Sequence, residues 1–183
     1  MDQSKSVLRQ YFLSKRRSLS MVDWRTQSQK ICDQLQQHKL FTESHTVLSY
    51  LSYRNEPDLA ALFEVEKSWG LPRCVGKKLA WHGYQKGDHL ISGKYGLTEP
   101  HPDLPLINLD EIDLILVPAV ACSKNGDRLG YGGGFYDRFL DSLNHPVTTV
   151  GIIFDYCLAA ELPRDPWDKP LNYICTENEI ISI

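Results

Sequence analysis

Apolar and polar positions along this chain follow two periods, and the changes between them outline its elements. In "SVLRQYFLSKRR", Val7, Leu8, Tyr11 and Phe12 recur at helical spacing while Lys5, Arg9 and Arg16 fall off the stripe, which predicts a surface helix with a basic face. "SLSMVDWRTQSQKICDQLQQH" predicts a second helix, because Ser20 and Asp23 stand in N-cap and N3 relation and Trp24, Ser28, Ile31 and Leu35 share one side. His45 to Leu51 reads as a buried strand, and Pro57 then opens a further helix. "LPRCV" and "KLAWHGY" read as strands joined through Gly76-Lys77, and Gln85 to Asp110 as a long loop. Ile112 to Ala121, Thr148 to Phe154 and "LNYICT" complete the strands. Strands alternating with helices predict an α/β sheet covered on both faces, and with no repeat or linker the chain reads as one domain, 1–183.

The sharpest local pattern is "RLGYGGGFYDRFL", where Gly130, Gly132, Gly133 and Gly134 lie between a strand and a helix marked by Phe135, Phe139 and Leu143. Glycines let a backbone approach a ligand closely, and the first N–H groups of a helix lack partners inside it, so strand, glycine loop, helix suits a phosphate. Two standard phosphate loops do not fit. G-x-G-x-x-G would need glycine where Phe135 stands, and no G-K-[ST] follows for a Walker A loop. Arg128 is placed to neutralise phosphate charge. Asp137 has two readings, a carboxylate for a nucleotide-borne Mg²⁺ or a partner for the helix dipole. Lys5 and Arg9, at i and i+4, present two cations either to one anion or to solvent. Glu56 is either an acceptor for ligand N–H groups or the N-cap of the helix that Pro57 begins.

Composition narrows the class. At 183 residues and a net charge of −3, without a long Lys/Arg run, the chain lacks the basic footprint of a nucleic-acid binder, so any anion site is local. No apolar run approaches the ~18 residues that read as membrane-spanning. Five cysteines, odd in number, widely spaced and without C-x-x-C, read as reduced buried thiols. These features predict a cytoplasmic protein.

The chain resembles the 5-formyltetrahydrofolate cyclo-ligase family over nearly its whole length, through "KSVLR", "YLSYRNEPD", "TEP", "LILVPAVACSKNGDRLGYGGGFYDRFL" and "ELPRDPWDKPLNYICTE". The resemblance implies a three-layer α/β sandwich with a mostly parallel central sheet, similar to the sugar-phosphate isomerase and CoA-transferase group. It implies an ATP- and Mg²⁺-dependent closure of 5-formyltetrahydrofolate to 5,10-methenyltetrahydrofolate, with ADP and phosphate released. It places ATP on Lys5, Arg9, Arg128, Gly130, Gly132, Gly133, Gly134, Phe135 and Tyr136, with Arg128 and Tyr136 serving catalysis. Folate falls on Leu51 and Glu56, and the metal on Asp137 and Asp168. The implied protein is a monomer acting on small molecules. Many members carry Gln where Cys157 stands and His where Trp167 stands, and some carry a basic residue within the loop at Tyr131 or Gly133, which here leaves the cationic role to Lys5, Arg9 and Arg128. Two other readings compete: an isomerase- or CoA-transferase-like enzyme using a carboxylate base, and a non-catalytic folate- or nucleotide-binding protein of the same fold.

Overall fold

The computed structural model describes residues 4–183, so the polar opening Met1–Gln3 lies outside the described residues. Two helices lead the chain, α1 (Lys5–Arg17) and α2 (Met21–Gln37), and one turn, α3 (Lys39–Thr42), follows. The Ser20 hydroxyl accepts from Asp23 N–H at 3.0 Å, the cap anticipated from the spacing. The strands are β1 (Thr46–Leu48), β2 (Ser68–Val75), β3 (Lys78–Tyr84), β4 (Leu90–Ser92), β5 (Thr98–Pro100), β6 (Leu114–Pro118), β7 (Ala121–Ser123), β8 (Arg128–Leu129), β9 (Thr148–Ile152), β10 (Leu158–Ala159), β11 (Tyr173–Cys175) and β12 (Ile180–Ser182). Helix α4 (Phe135–Asp141) lies between β8 and β9.

The main sheet has seven strands in the order β12-β11-β9-β6-β1-β2-β3. Strands β11, β9, β6, β1 and β2 run parallel, and antiparallel β12 and β3 close the edges. Side chains alternate between two cores, as strand geometry requires. Leu48, Ile115, Val117 and Ile174 pack on one face with Phe12 of α1 and Phe139 of α4. Val47, Leu114, Leu116, Val150 and Cys175 pack on the other with Ile31 and Leu35 of α2. Helix, sheet and helix layers follow, the mostly parallel sandwich expected. All five cysteines are free thiols, and only Cys74 is not fully buried. Among the described residues no helix is long and apolar enough to cross a membrane.

Gly151 of β9 marks how tightly the first core is filled. A Cβ there would stand 2.6 Å from Leu171 Cδ1 and 2.9 Å from Cys122 Sγ. Gly151→Ala is therefore expected to destabilise the fold by about 1–3 kcal/mol through overpacking. Thermal unfolding should show this as a Tm lowered by roughly 2–4 °C per kcal/mol for a chain of this size.

Four expectations change. Val7 and Tyr11 of α1 are about half exposed, whereas Arg16 is only 2% exposed, so the buried face of this helix holds Phe12 and Arg16 rather than the predicted stripe. Pro57 begins no α-helix; a single 3-10 turn forms at Ala60–Glu64. The loop from Gln85 to Asp110 contains the antiparallel β4–β5 hairpin. The run Ile112 to Ala121 splits, because the chain leaves the main sheet after Pro118 and β7 enters a small second sheet, β10-β7-β8.

Candidate functional site

The order of the main sheet reverses direction at β1, whose neighbours are β2 and β6, and ligands in such sheets bind beyond the carboxyl ends of the strands at this switch point. A cleft of about 1220 Å³ lies there, reached by Tyr50 and Leu51 after β1 and by Pro118 at the end of β6. Every site residue anticipated from the sequence lines it: Lys5, Arg9, Leu51, Glu56, Arg128, Gly130, Gly132, Gly133, Gly134, Phe135, Tyr136, Asp137 and Asp168.

The glycine loop forms one wall. Gly132 (φ 99°) and Gly134 (φ 63°) take left-handed backbone that other residues adopt only with strain. The loop is ringed by guanidinium groups for which the glycines make room: a Cβ at Gly130 would stand 2.6 Å from Arg128 Nη1, and one at Gly134 2.7 Å from Arg138 Nη1. Arg9 Nε donates to the Gly130 carbonyl at 2.7 Å and Arg138 Nη2 to the Gly133 carbonyl at 2.8 Å. With those carbonyls engaged, the N–H groups of Gly130 to Gly134 donate no hydrogen bond to a described backbone group. Free N–H donors beside three arginines form an anion cradle. Because α4 has only seven residues, its dipole adds less than the sequence pattern suggested, and the arginines carry the charge.

The acidic groups are each matched to a cation. Asp137, in the first turn of α4, accepts from Arg128 Nη2 at 2.8 Å. Lys5 bridges Asp165, at 2.5 Å, and Asp168. Burial would push the Asp168 carboxyl up, but the Asp165 N–H, Lys5 and the charge of Arg128 more than offset it and hold it below the usual range. Burial would lower Lys5, and its two carboxylate partners hold it above its ordinary value instead. Arg128 thus stands near both Asp137 and Asp168. Its side chain is only 5% exposed. Among the described residues no three His, Cys, Asp or Glu side chains gather in a metal-holding group. Two carboxylates facing a phosphate cradle are still the donor set that a nucleotide-borne Mg²⁺ takes, since that ion keeps waters and phosphate oxygens as its other ligands.

Across the cleft, Arg54 (φ 49°) and Asn55 (φ 57°) form a tight turn closed by Glu56 N–H donating to the Tyr53 carbonyl at 3.1 Å. Two consecutive non-glycine residues in the left-handed region carry strain, here retained where the chain folds Glu56 under the cleft floor. The Glu56 carboxylate accepts from Tyr53 N–H at 3.1 Å and is 3% exposed. It caps no helix, because the nearby 3-10 turn starts after Leu59 and has no side-chain cap. Burial drives the Glu56 carboxyl up to about 7, against the opposing influence of Arg16, Tyr53 N–H and Tyr131.

Aromatic rings edge the opening. Tyr53 meets Tyr131 at 6.0 Å and Tyr95 meets Phe135 at 6.3 Å, both edge to face, and Trp167 stands 67% exposed at the rim. Cys157 packs in the apolar core and is not among the residues lining the cleft. The sequence reading missed Arg138, Asp165 and Tyr131 as members of the cleft and Arg16 beneath it. For Arg138 the signal was available, one turn past Gly134; for Arg16 the helical pattern pointed the other way.

The profile of the 5-formyltetrahydrofolate cyclo-ligase family matches residues 1–177. The chain is 32% identical to the 5-formyltetrahydrofolate cyclo-ligase of Mycolicibacterium smegmatis, with 94% of this chain and 93% of that one covered. It is 29% identical to the Escherichia coli protein of the same name, covering 91% and 96%. An NMR structure of 5,10-methenyltetrahydrofolate synthetase from Aquifex aeolicus superposes with a TM-score of 0.87 at 34% identity, covering 97% of this chain and 92% of that one.

Proposed function

The chain belongs to the 5-formyltetrahydrofolate cyclo-ligase family, and from that premise we propose that it closes 5-formyltetrahydrofolate to 5,10-methenyltetrahydrofolate at the expense of ATP. The observation that carries this reading is the meeting, in one cleft, of an arginine-ringed glycine loop and a buried carboxylate under an aromatic rim. One half is suited to a polyphosphate and the other to a flat, N–H-bearing heterocycle.

The chemistry needs little else. A formamide is a poor electrophile because its nitrogen lone pair is delocalised. Transfer of the ATP γ-phosphoryl group to the formyl oxygen, with ADP leaving, turns that oxygen into a leaving group. N10 then attacks the activated carbon, loses its proton, and phosphate departs. Phosphoryl transfer asks the protein for positioning and charge neutralisation. Arg9, Arg128, Arg138 and the loop N–H groups provide these, with Lys5 at the far end of the cradle. Tyr136, whose buried hydroxyl has no hydrogen-bond partner among the described residues, lines the cleft with Arg128 over its ring, and this reading gives that hydroxyl to the reacting group. Glu56 orients the folate through its pterin N–H groups, and Leu51 packs beside it. Asp137 and Asp168 would hold Mg²⁺, which when bound neutralises phosphate charge and withdraws electrons from the transferred group. The same reading makes residues 1–183 one cyclo-ligase domain, a cytoplasmic monomer working on two small molecules.

Mixing the protein with 5-formyltetrahydrofolate and Mg-ATP should raise the near-ultraviolet absorbance of methenyltetrahydrofolate, with one ADP formed per product. Folate binding without product would identify a binding protein. Conversion without ADP release would make Glu56 a base in an isomerase-like reaction and overturn the ATP-dependent reading.

A further inference from the structure

Helix α2 contributes no side chain to the cleft lining, yet it holds the segment that carries Glu56. Residues 56–58 are neither helix nor strand, and buried backbone groups outside such elements need partners of their own. Trp24 Nε1 donates to the Glu56 carbonyl at 2.8 Å, the Ser28 hydroxyl accepts from Asp58 N–H at 3.0 Å, and the Cys32 thiol donates to the Asp58 carbonyl at 3.4 Å. These three residues are spaced four apart, so a single stripe of α2 meets the segment from end to end. From the other side the Ser52 hydroxyl donates to the same Glu56 carbonyl at 2.7 Å, and the Tyr50 hydroxyl to the Pro57 carbonyl at 2.9 Å.

We propose that Trp24 and Ser52 are positioning residues for folate: by sharing the Glu56 carbonyl they fix the backbone from which the Glu56 carboxylate reaches the cleft. The inference rests on the proposed folate role of Glu56 and deepens it. The Glu56 N–H and one carboxylate oxygen are both engaged inside the turn, with the Tyr53 carbonyl and the Tyr53 N–H at 3.1 Å each, so turn and carboxylate move as one body. That turn runs through Arg54 and Asn55 in left-handed backbone, a conformation that persists where its surroundings fix it. The Glu56 carbonyl, held by two donors from two different elements, is the point at which they do so. Helix α2 packs on the sheet through Ile31 and Leu35, which ties the carboxylate to the core on the sheet face away from α4.

The test is Trp24→Phe and Ser52→Ala, alone and together, with binding of 5-formyltetrahydrofolate and of Mg-ATP measured by calorimetry and folding checked by thermal melts. Each single variant leaves the other donor on the carbonyl and should weaken folate binding only about 2- to 3-fold. The double variant leaves that carbonyl without a side-chain donor and should weaken folate binding about 10- to 100-fold, more than the product of the singles, with Mg-ATP binding little changed. In a Glu56→Ala background the same substitutions should change folate affinity less than about 2-fold, because their effect travels through that carboxylate. Should the double variant fail to fold, the single variants in the two backgrounds carry the same comparison. A lowered melting temperature with folate affinity intact would confine both residues to supporting the fold and overturn the proposal, as would a loss of folate affinity that persists in the Glu56→Ala background. A wild type that does not bind 5-formyltetrahydrofolate, or a Glu56→Ala variant that binds it as tightly as the wild type, would instead overturn the functional reading on which the proposal rests.

Discussion

Asp137→Asn is expected to lower turnover by about 10²- to 10³-fold at limiting Mg²⁺, the loss that several kcal/mol of missing transition-state charge stabilisation produces. ATP affinity should change far less, because the loop N–H groups and Arg9, Arg128 and Arg138 remain. Asn keeps an oxygen that can accept from Arg128, so the ion pair becomes a hydrogen bond and the fold persists, which a thermal melt would verify. The Mg²⁺ activation curve should move to higher concentration and recover part of the rate. Asp168→Asn should act in the same direction but more mildly, since Lys5 also binds Asp165 and that second carboxylate stays in place. Near-normal turnover of the Asp137 variant at limiting Mg²⁺ would reduce this carboxylate to a partner of Arg128, and the metal ligands would have to be sought elsewhere in the cleft.

How much of this site was legible beforehand depended on whether its signal was local. The glycine loop and its flanking Arg128 and Asp137 are contiguous, so their spacing alone announced an anion site. The strands of the main sheet were legible for the same reason: Leu114 to Val117 are apolar on both faces because both faces are covered. Strands β8 and β10 have two residues each and carry no period to read. Helix α1 misled for a different reason. Its apolar residues Val7, Leu8, Tyr11 and Phe12 define one stripe, yet the face turned inward runs through Lys5, Leu8, Arg9, Phe12 and Arg16. Three of those five are cations because the helix packs partly on carboxylates and carbonyls, and hydrophobic periodicity cannot register such a partner. Glu56 was ambiguous because Pro57 signals a helix start; the structure instead folds a turn through Asn55, which tolerates left-handed backbone, and Arg54, which has little intrinsic preference for it.

Glu56→Gln should weaken folate binding and, at alkaline pH, strengthen the fold. The carboxyl ionises near 4.5 in an unfolded chain and near 7 in the folded protein. Below pH 4.5 it is protonated in both states and its contribution to stability is complete. As pH rises from 4.5 to 7 the unfolded state releases the proton while the folded state holds it, so stability falls, and above 7 the full cost of a buried charge is present. That cost is at most about 3–4 kcal/mol, from 1.36 kcal/mol for each unit of displacement between 4.5 and about 7. Gln is neutral throughout, so its variant should match the wild type near pH 4.5 and melt several degrees higher at pH 8, at roughly 2–4 °C per kcal/mol. Binding moves the other way. A pterin N–H held by a carboxylate makes charge-assisted hydrogen bonds worth about 1.5–3 kcal/mol, so their loss should raise the folate KM about 10- to 100-fold at pH 8 with the ATP KM little changed. Opposite signs in the two measurements distinguish a ligand-holding carboxylate from one that supports the fold, for which stability would drop at pH 8 and folate affinity would stay as it was.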